Sequence, residues 1–276
     1  MSADALRHEF AVDGRTVVAY EAGAGPDATA VLLWSGGTPH TGAPLAPHAA
    51  WARAHDVRLI SVARPGFGGS QRLPGRSVAD AAADLLAAAD ALDVDRFALA
   101  GYSGGGPHAL AAAAHAGDRV LGVVAFASPA PFTGEASWFE GMHDPAALQS
   151  AERGRAARET WGETADFDPG QFTADDWAAL DGELAAVGED AGRGGATEES
   201  GGTDDDVAFV TPWGVDLDRI SAPVHLVHGD EDRIIPVRHA HLIAVRCPRA
   251  EVHPRAGRGH VGVLRTWADD VERMLR

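Results

Sequence analysis

Phe97-Ala98-Leu99-Ala100-Gly101-Tyr102-Ser103-Gly104-Gly105-Gly106-Pro107-His108 starts as an apolar run, breaks into glycines around one serine, and passes into an alanine-rich segment. The short apolar run reads as a buried strand and the alanines after Pro107 as a helix. Gly101-x-Ser103-x-Gly105 then sits between strand and helix, the context in which a G-x-S-x-G turn lifts a serine hydroxyl above the end of a sheet. So tight a turn forces the serine to positive φ, and the two glycines lack the Cβ atoms that would clash as strand and helix approach. The hydroxyl is aimed at the first turn of the helix, where free N–H groups and the helix dipole favour negative charge. In a chain with 33 glycines the turn alone carries little weight. Its surroundings decide the matter.

On the amino-terminal side, Ala30 to Trp34 and Val57 to Val62 are continuous apolar runs, the pattern of strands buried on both faces. Ser35-Gly36-Gly37-Thr38-Pro39 between them cannot be helical, while Leu45 to His55 can. Arg64-Pro65-Gly66-Phe67-Gly68-Gly69-Ser70 is a second turn-rich loop, and Ser77 with Asp80 opens a capped amphipathic helix to about Leu92. His8 to Val12 and Thr16 to Tyr20 flank Asp13-Gly14 as a hairpin. On the carboxyl side Val120 to Phe126 is the next strand. From about Ser128 to Val215 the chain holds helical segments and many aromatics but no convincing strand. Alternation resumes with Val224 to His228, a helix near Val237 to Val245, a short strand near Ala250 to His253 and a final helix from about Val261.

This rhythm predicts an α/β fold: a mostly parallel central sheet flanked by helices, with core at 1–128 and 216–276 and an inserted helical cap at 129–215. Within the cap, 188–206 is glycine-rich and acidic and is expected to be mobile. Its Asp204-Asp205-Asp206 run reads as a solvated cap to the next helix.

The formal charge of −17 excludes nucleic acid and an anionic membrane surface as partners, since both demand a basic face. Cys247 is the only cysteine, so no internal disulfide and no thiolate metal cage can form. Met1 to Ala5 lacks the basic start and apolar run of a signal peptide. The longest apolar stretch, Val120 to Phe132, is interrupted by Gly122 and Pro129, and a cytoplasmic location is expected. Of 13 histidines, His239 and His241 sit two apart on one predicted helix and so face different ways, poor geometry for a metal. His108 and His225 read as structural, His225 as a hydrogen-bonded core residue. A small-molecule substrate is the expected partner, with no metal and no cofactor.

A serine hydroxyl becomes a nucleophile only when a positioned base takes its proton, and the base needs a third group to fix its tautomer. The strand Val224 to His228 runs into Gly229-Asp230-Glu231-Asp232-Arg233-Ile234-Ile235-Pro236, which places acids beyond a strand's carboxyl end, where open sheets keep their sites. The last strand runs into Ala256-Gly257-Arg258-Gly259-His260-Val261-Gly262, a loop presenting one histidine. With the loops at 64–70 and 101–105, and in this order, these segments resemble the serine members of the α/β-hydrolase family. The likeness runs from Ala30 to the final helix.

The resemblance implies Ser103 as nucleophile, His260 as base and Asp232 as the acid, four residues before Pro236 as in the family; Asp230 and Glu231 are the rival acids. It implies an oxyanion hole made by the backbone N–H groups of Thr38 and Gly104. Here Gly36 stands where relatives carry a histidine, and a frame one residue earlier would make Gly37 the donor. Serine at the elbow separates the chain from dehalogenases and epoxide hydrolases of similar sequence, which carry aspartate there. The implied activity is acyl-bond hydrolysis through an acyl-enzyme, first of all on a carboxylic ester with an apolar moiety. The cap is aromatic, and no lysine is present to hold an anion. Alternatives are an aminopeptidase, needing an acid among Glu135, Glu140 and Asp144, a carbon–carbon bond hydrolase, or an idle homologue that only binds a small ligand. His40, Tyr102, Trp138 and Trp213 are the candidate pocket residues.

Overall fold

Strands form where the apolar runs fall, in a computed structural model that describes residues 5–276. The expectation about a leader at residues 1–4 lies outside the described residues. The strands are β1 (Leu6–Val12), β2 (Arg15–Gly23), β3 (Ala30–Ser35), β4 (Val57–Val62), β5 (Phe97–Tyr102), β6 (Val120–Phe126), β7 (Val224–Gly229) and β8 (Ala250–Arg255). They make one sheet in the order β1-β2-β4-β3-β5-β6-β7-β8. β1 and β2 are antiparallel to their neighbours, and every pairing from β4 to β8 is parallel.

The helices between the early strands are α1 (Ala46–Ala54), α2 (Val78–Ala91) and α3 (Gly105–Ala116). Those covering the carboxyl-terminal side come later. Alternate residues of one strand serve opposite faces. Leu33 and Leu99 join Leu85 of α2 and Leu110 of α3 in one core. Leu32 and Ala98 join Ala52 of α1 and Trp267 in the other. Both faces are covered, so the central strands are apolar throughout. α2 begins with the expected capping box: the Ser77 side chain accepts from the Asp80 N–H, and the Asp80 carboxylate accepts from the Ser77 N–H.

Between β6 and β7 the chain leaves the sheet for α4 (Ala146–Glu152), α5 (Arg155–Gly162), α6 (Ala174–Leu180), α7 (Ala185–Thr197) and α8 (Gly201–Phe209). Among the described residues no strand occurs in this excursion. The segment 188–206 makes up most of α7 and most of α8, and its Asp190, Asp204 and Asp205 are buried. The acidic run is not a solvated cap. Arg64 and Arg76 engage Asp205, Arg72 and Arg155 engage Asp204, and Arg158 engages Asp206. Such pairing makes buried carboxylates tolerable.

The remaining helices are α9 (Arg238–Arg246) and α10 (Trp267–Leu275). The last helix starts later than the sequence suggests. The N–H groups of Val261 and Gly262 are bound to Asp176 Oδ1 at 2.6 and 2.9 Å, and 262–266 forms a 3-10 turn first. Among the described residues no helix is long and apolar enough to cross a membrane.

Candidate active site

Ser103 has φ of 49°, the strained value its turn demands. A Cβ on Gly101 would lie 2.6 Å from the Gly105 carbonyl oxygen, and one on Gly105 would lie 2.0 Å from that of Ser35. Glycine alone lets α3 press this closely on the strand ends. The Ser103 N–H donates to Phe126 O at 2.8 Å, which ties the elbow to β6.

The loop after β8 brings His260 to the elbow. Its Nε2 is 2.9 Å from Ser103 Oγ, and its Nδ1 is 2.8 Å from Asp232 Oδ2. The loop after β7 wraps Asp232 around its own carboxylate, whose Oδ1 accepts from the N–H groups of Ile234 and Ile235, each at 2.9 Å. His228 at the end of β7 lies 3.4 Å from Asp232 Oδ2 and is anchored on Ile235 O. The rival acids separate cleanly: Asp230 and Glu231 are exposed, and Asp230 is spent on the Gly257 N–H at 2.7 Å. Of the three, Asp232 is the one that reaches His260.

Burial alone would push the Asp232 carboxyl up; the imidazoles of His260 and His228 outweigh it and hold the group well below the usual carboxylate range. Burial would likewise depress His260, and the Asp232 carboxylate overrides it, so the imidazole is raised above its ordinary value. An ionised acid beside an imidazole fixes the ring's Nδ1–H tautomer and leaves Nε2 to accept a proton.

Thr38 lies against Gly104, since a Cβ on Gly104 would fall 2.2 Å from Thr38 Oγ1 and 3.2 Å from the Phe209 ring. Neither the Thr38 nor the Gly104 N–H is bonded to another group of the described residues. The loop is held from behind. Arg64 donates to the carbonyl oxygens of Gly36 and Gly37 and, at 2.8 Å, to Thr38 Oγ1. Thr38 Oγ1 in turn donates to Asp205 Oδ2 at 2.6 Å. Arg64 and Arg76 reach Asp205 at 2.9 and 2.6 Å. Burial acts to raise Asp205, but the two guanidiniums dominate and keep it ionised well below the usual range.

Of the candidate pocket residues, Tyr102 lies against His260, and His40 lies next to Tyr102. The Tyr102 ring is 5.3 Å from that of His260, and His40 is 6.2 Å from Tyr102 with its Nδ1 2.8 Å from Asp190 Oδ2. Trp138 and Trp213 are buried in core, Trp213 also bordering a cavity between 131–134 and 210–219. Trp138 is fully buried among Phe132, Phe139 and His239, and Trp213 packs in the main core with its Nε1 on Phe209 O. Each indole buries most by turning inward and finds a carbonyl for its N–H. Glu135, Glu140 and Asp144 are exposed, and Glu140 pairs with Arg238.

Sequence reading misses three residues that bear on the site: Phe209 over the elbow, Asp205 behind the loop, and Asp176, which binds the N–H groups following His260. Only Asp176 carried a local signal, the capping box it forms with Thr173.

A small cavity beside Tyr102 and His40 shares Leu45, Val187 and Leu264 with one of about 320 Å³ lined also by His48, Trp51 and Trp267. A larger cavity of about 990 Å³, between the segments 131–134 and 210–219, contains none of Ser103, Asp232 and His260.

A family model for the alpha/beta hydrolase fold matches residues 35–264. Among solved structures the chain is similar to a hydrolase from Pseudomonas aeruginosa PA01, with 22% identity and a TM-score of 0.75 over 100% of this chain and 99% of that one. It is similar to the enol-lactonase from Burkholderia xenovorans LB400, with 20% identity and a TM-score of 0.73 over 97% and 99%. The esterase RhEst1 from Rhodococcus sp. ECU1013 gives 22% identity and a TM-score of 0.70 over 100% and 98%. At these identities the shared property is the fold.

Proposed function

The chain belongs to the alpha/beta-hydrolase family, and from that premise we propose that it hydrolyses a carboxylic ester with an apolar moiety through an acyl-enzyme on Ser103. The observation that carries this reading is the unbroken chain of hydrogen bonds from Ser103 Oγ through His260 to Asp232. His260 Nε2 takes the Ser103 proton as Oγ bonds to the ester carbonyl carbon. The N–H groups of Thr38 and Gly104 hold the oxyanion, each worth roughly 3 kcal/mol in the transition state. Collapse of the tetrahedral adduct breaks the carbon–alkoxide bond, and His260 gives its proton to the departing alcohol. Water then repeats the sequence on the acyl-enzyme, returning free acid and Ser103. Asp232 stays ionised throughout and steadies the imidazolium.

The excursion at 129–215 serves as a cap. Its Phe209 packs over Gly104, Asp205 holds Thr38, and Asp190 holds His40. The apolar part of the ester is assigned to the space lined by Leu45, Trp51, Val187, Leu264 and Trp267, next to Tyr102. An aminopeptidase finds no support, because the acids it would need, Glu135, Glu140 and Asp144, are exposed.

Labelling by a fluorophosphonate, read by intact mass, tests the reading. One adduct is expected on the wild type and none on Ser103→Ala or His260→Ala. A panel of esters graded in chain length then gives the substrate range. Absence of any adduct on folded wild type, with small-ligand binding kept in Ser103→Ala, would sink the esterase in favour of an idle ligand-binding homologue.

A further inference from the structure

β7 and β8 form the carboxyl-terminal edge of the sheet, in a register that sets His225 opposite Glu251 and Val227 opposite His253. Side chains alternate along a strand, so Glu251 and His253 leave the same face of β8, the face on which His225 leaves β7. One donor atom from each of these three residues lies within 4.8 Å of the other two. The two imidazole rings are 4.9 Å apart at 63°, and Glu251 Oε2 is 3.7 Å from His253 Nε2.

A second observation separates this cluster from ordinary surface histidines. His225 Nδ1 and His253 Nε2 are both shielded from solvent and have no hydrogen-bond partner among the described residues. The expectation that His225 is a hydrogen-bonded core residue therefore fails at this nitrogen. Buried nitrogens that bond to nothing are costly, and one of these two, His253 Nε2, lies 3.7 Å from the Glu251 carboxylate.

We propose that His225, Glu251 and His253 bind a divalent transition-metal ion of the zinc class, which fastens the edge strand β8 to β7. Two imidazole nitrogens and one carboxylate oxygen suit zinc, cobalt or nickel, whereas magnesium and calcium seek oxygen ligands. Tetrahedral zinc about 2.0–2.1 Å from its ligands sets them roughly 3.3 Å apart. The three donor atoms must draw together to reach that spacing, and Glu251, whose side chain is 74% exposed, is able to turn inward. Of the nearby charges, Arg255 and Arg273 are both held by Asp270 Oδ1, at 2.5 and 3.4 Å, which offsets part of their repulsion of an ion. None of these residues belongs to the Ser103 site, so the inference stands apart from the proposed esterase.

The test uses the full chain stripped of metal. Zinc is titrated calorimetrically and cobalt by its visible d–d absorption, on wild type, His225→Gln, His253→Gln, Glu251→Gln and the outlying control His241→Ala. The expected result is one ion per chain, bound at least roughly tenfold more weakly in each cluster variant and unchanged in the control. The melting midpoint should rise with zinc in wild type and not in His253→Gln. Should His225→Gln not fold, the two β8 variants decide, since their side chains stand at the sheet edge. No saturable binding, affinity indifferent to His253→Gln and Glu251→Gln, or loss of binding in His241→Ala would each overturn the proposal.

Discussion

At the scale of single residues, three acids within three positions face one histidine's loop, and their surroundings make them unequal. Asp232 is buried, accepts two backbone N–H groups and reaches His260 Nδ1 at 2.8 Å; Asp230 and Glu231 stand in solvent. Asp232→Asn is therefore expected to lower kcat by about 10⁴-fold, because the amide no longer fixes the tautomer or steadies the imidazolium. Asp230→Asn and Glu231→Gln should stay within a few-fold of wild type. Kinetics on a chromogenic ester decide it, and a larger loss in Glu231→Gln than in Asp232→Asn would reverse the assignment. The same pairing sets the pH profile. In the proposed reaction His260 must be neutral to take a proton, and, against burial, the Asp232 carboxylate raises its pKa above the ordinary value. The acidic limb of kcat/KM is thus expected above the ordinary histidine range, with rate rising as pH rises through it. A limb well below pH 6 would mean that another group titrates. Gly104 also leaves little room for a side chain. A methyl there meets Thr38 Oγ1 at 2.2 Å and parts the two proposed oxyanion donors, so Gly104→Ala should cost roughly 10²–10³-fold in kcat.

At the scale of elements, α8 is the piece that local reading misjudges. The capping box of α2 lies within four consecutive residues, and the sequence shows it directly. The meaning of Asp204 to Asp206 lies in arginines far away in the chain: Arg64, Arg72 and Arg76 before the elbow, and Arg155 and Arg158 in α5. A run of aspartates in a glycine-rich stretch looks like a solvated helix cap; with these guanidiniums folded onto them, they become the seam between excursion and sheet. Asp205 matters most, because it holds Thr38 and both buried arginines. Asp205→Asn keeps the shape and removes the charge, leaving two buried cations without their counter-ion. A loss of about 3–5 kcal/mol in folding stability is expected from urea unfolding. Arg64 also fixes the Gly36 and Gly37 carbonyls, so kcat should fall more than KM changes. Stability lost with kcat untouched would show that the seam does not position the loop.

At the scale of the whole molecule, what is legible in the sequence follows from locality. The central strands show as apolar runs because both faces of the sheet are covered. Ser103, Asp232 and His260 show because each stands in a short loop at a strand end. Trp138 and Trp213 pass for pocket residues because an aromatic in a helical excursion has no local sign saying which way it turns. His225 and His253 lie on different strands and meet only through strand pairing. Burial of histidines is likewise a property of the assembled molecule, and it fixes how stability responds to acid. His48 stacks on Trp267 at 4.0 Å and is pushed down to about 3, chiefly by burial. His108 and His239 are held at about 3 for the same leading reason. Between pH 6.5 and 3 the unfolded chain takes a proton at each of these sites and the folded chain does not, so stability falls as pH falls through that window. His48→Gln removes one such proton. The slope of unfolding free energy against pH, measured by urea titrations between about pH 6 and 4, should then drop by about 1.4 kcal/mol per pH unit relative to wild type. Parallel slopes for the two proteins would mean that His48 is protonated in the folded state, and its stacking on Trp267 would then have to be that of a cation.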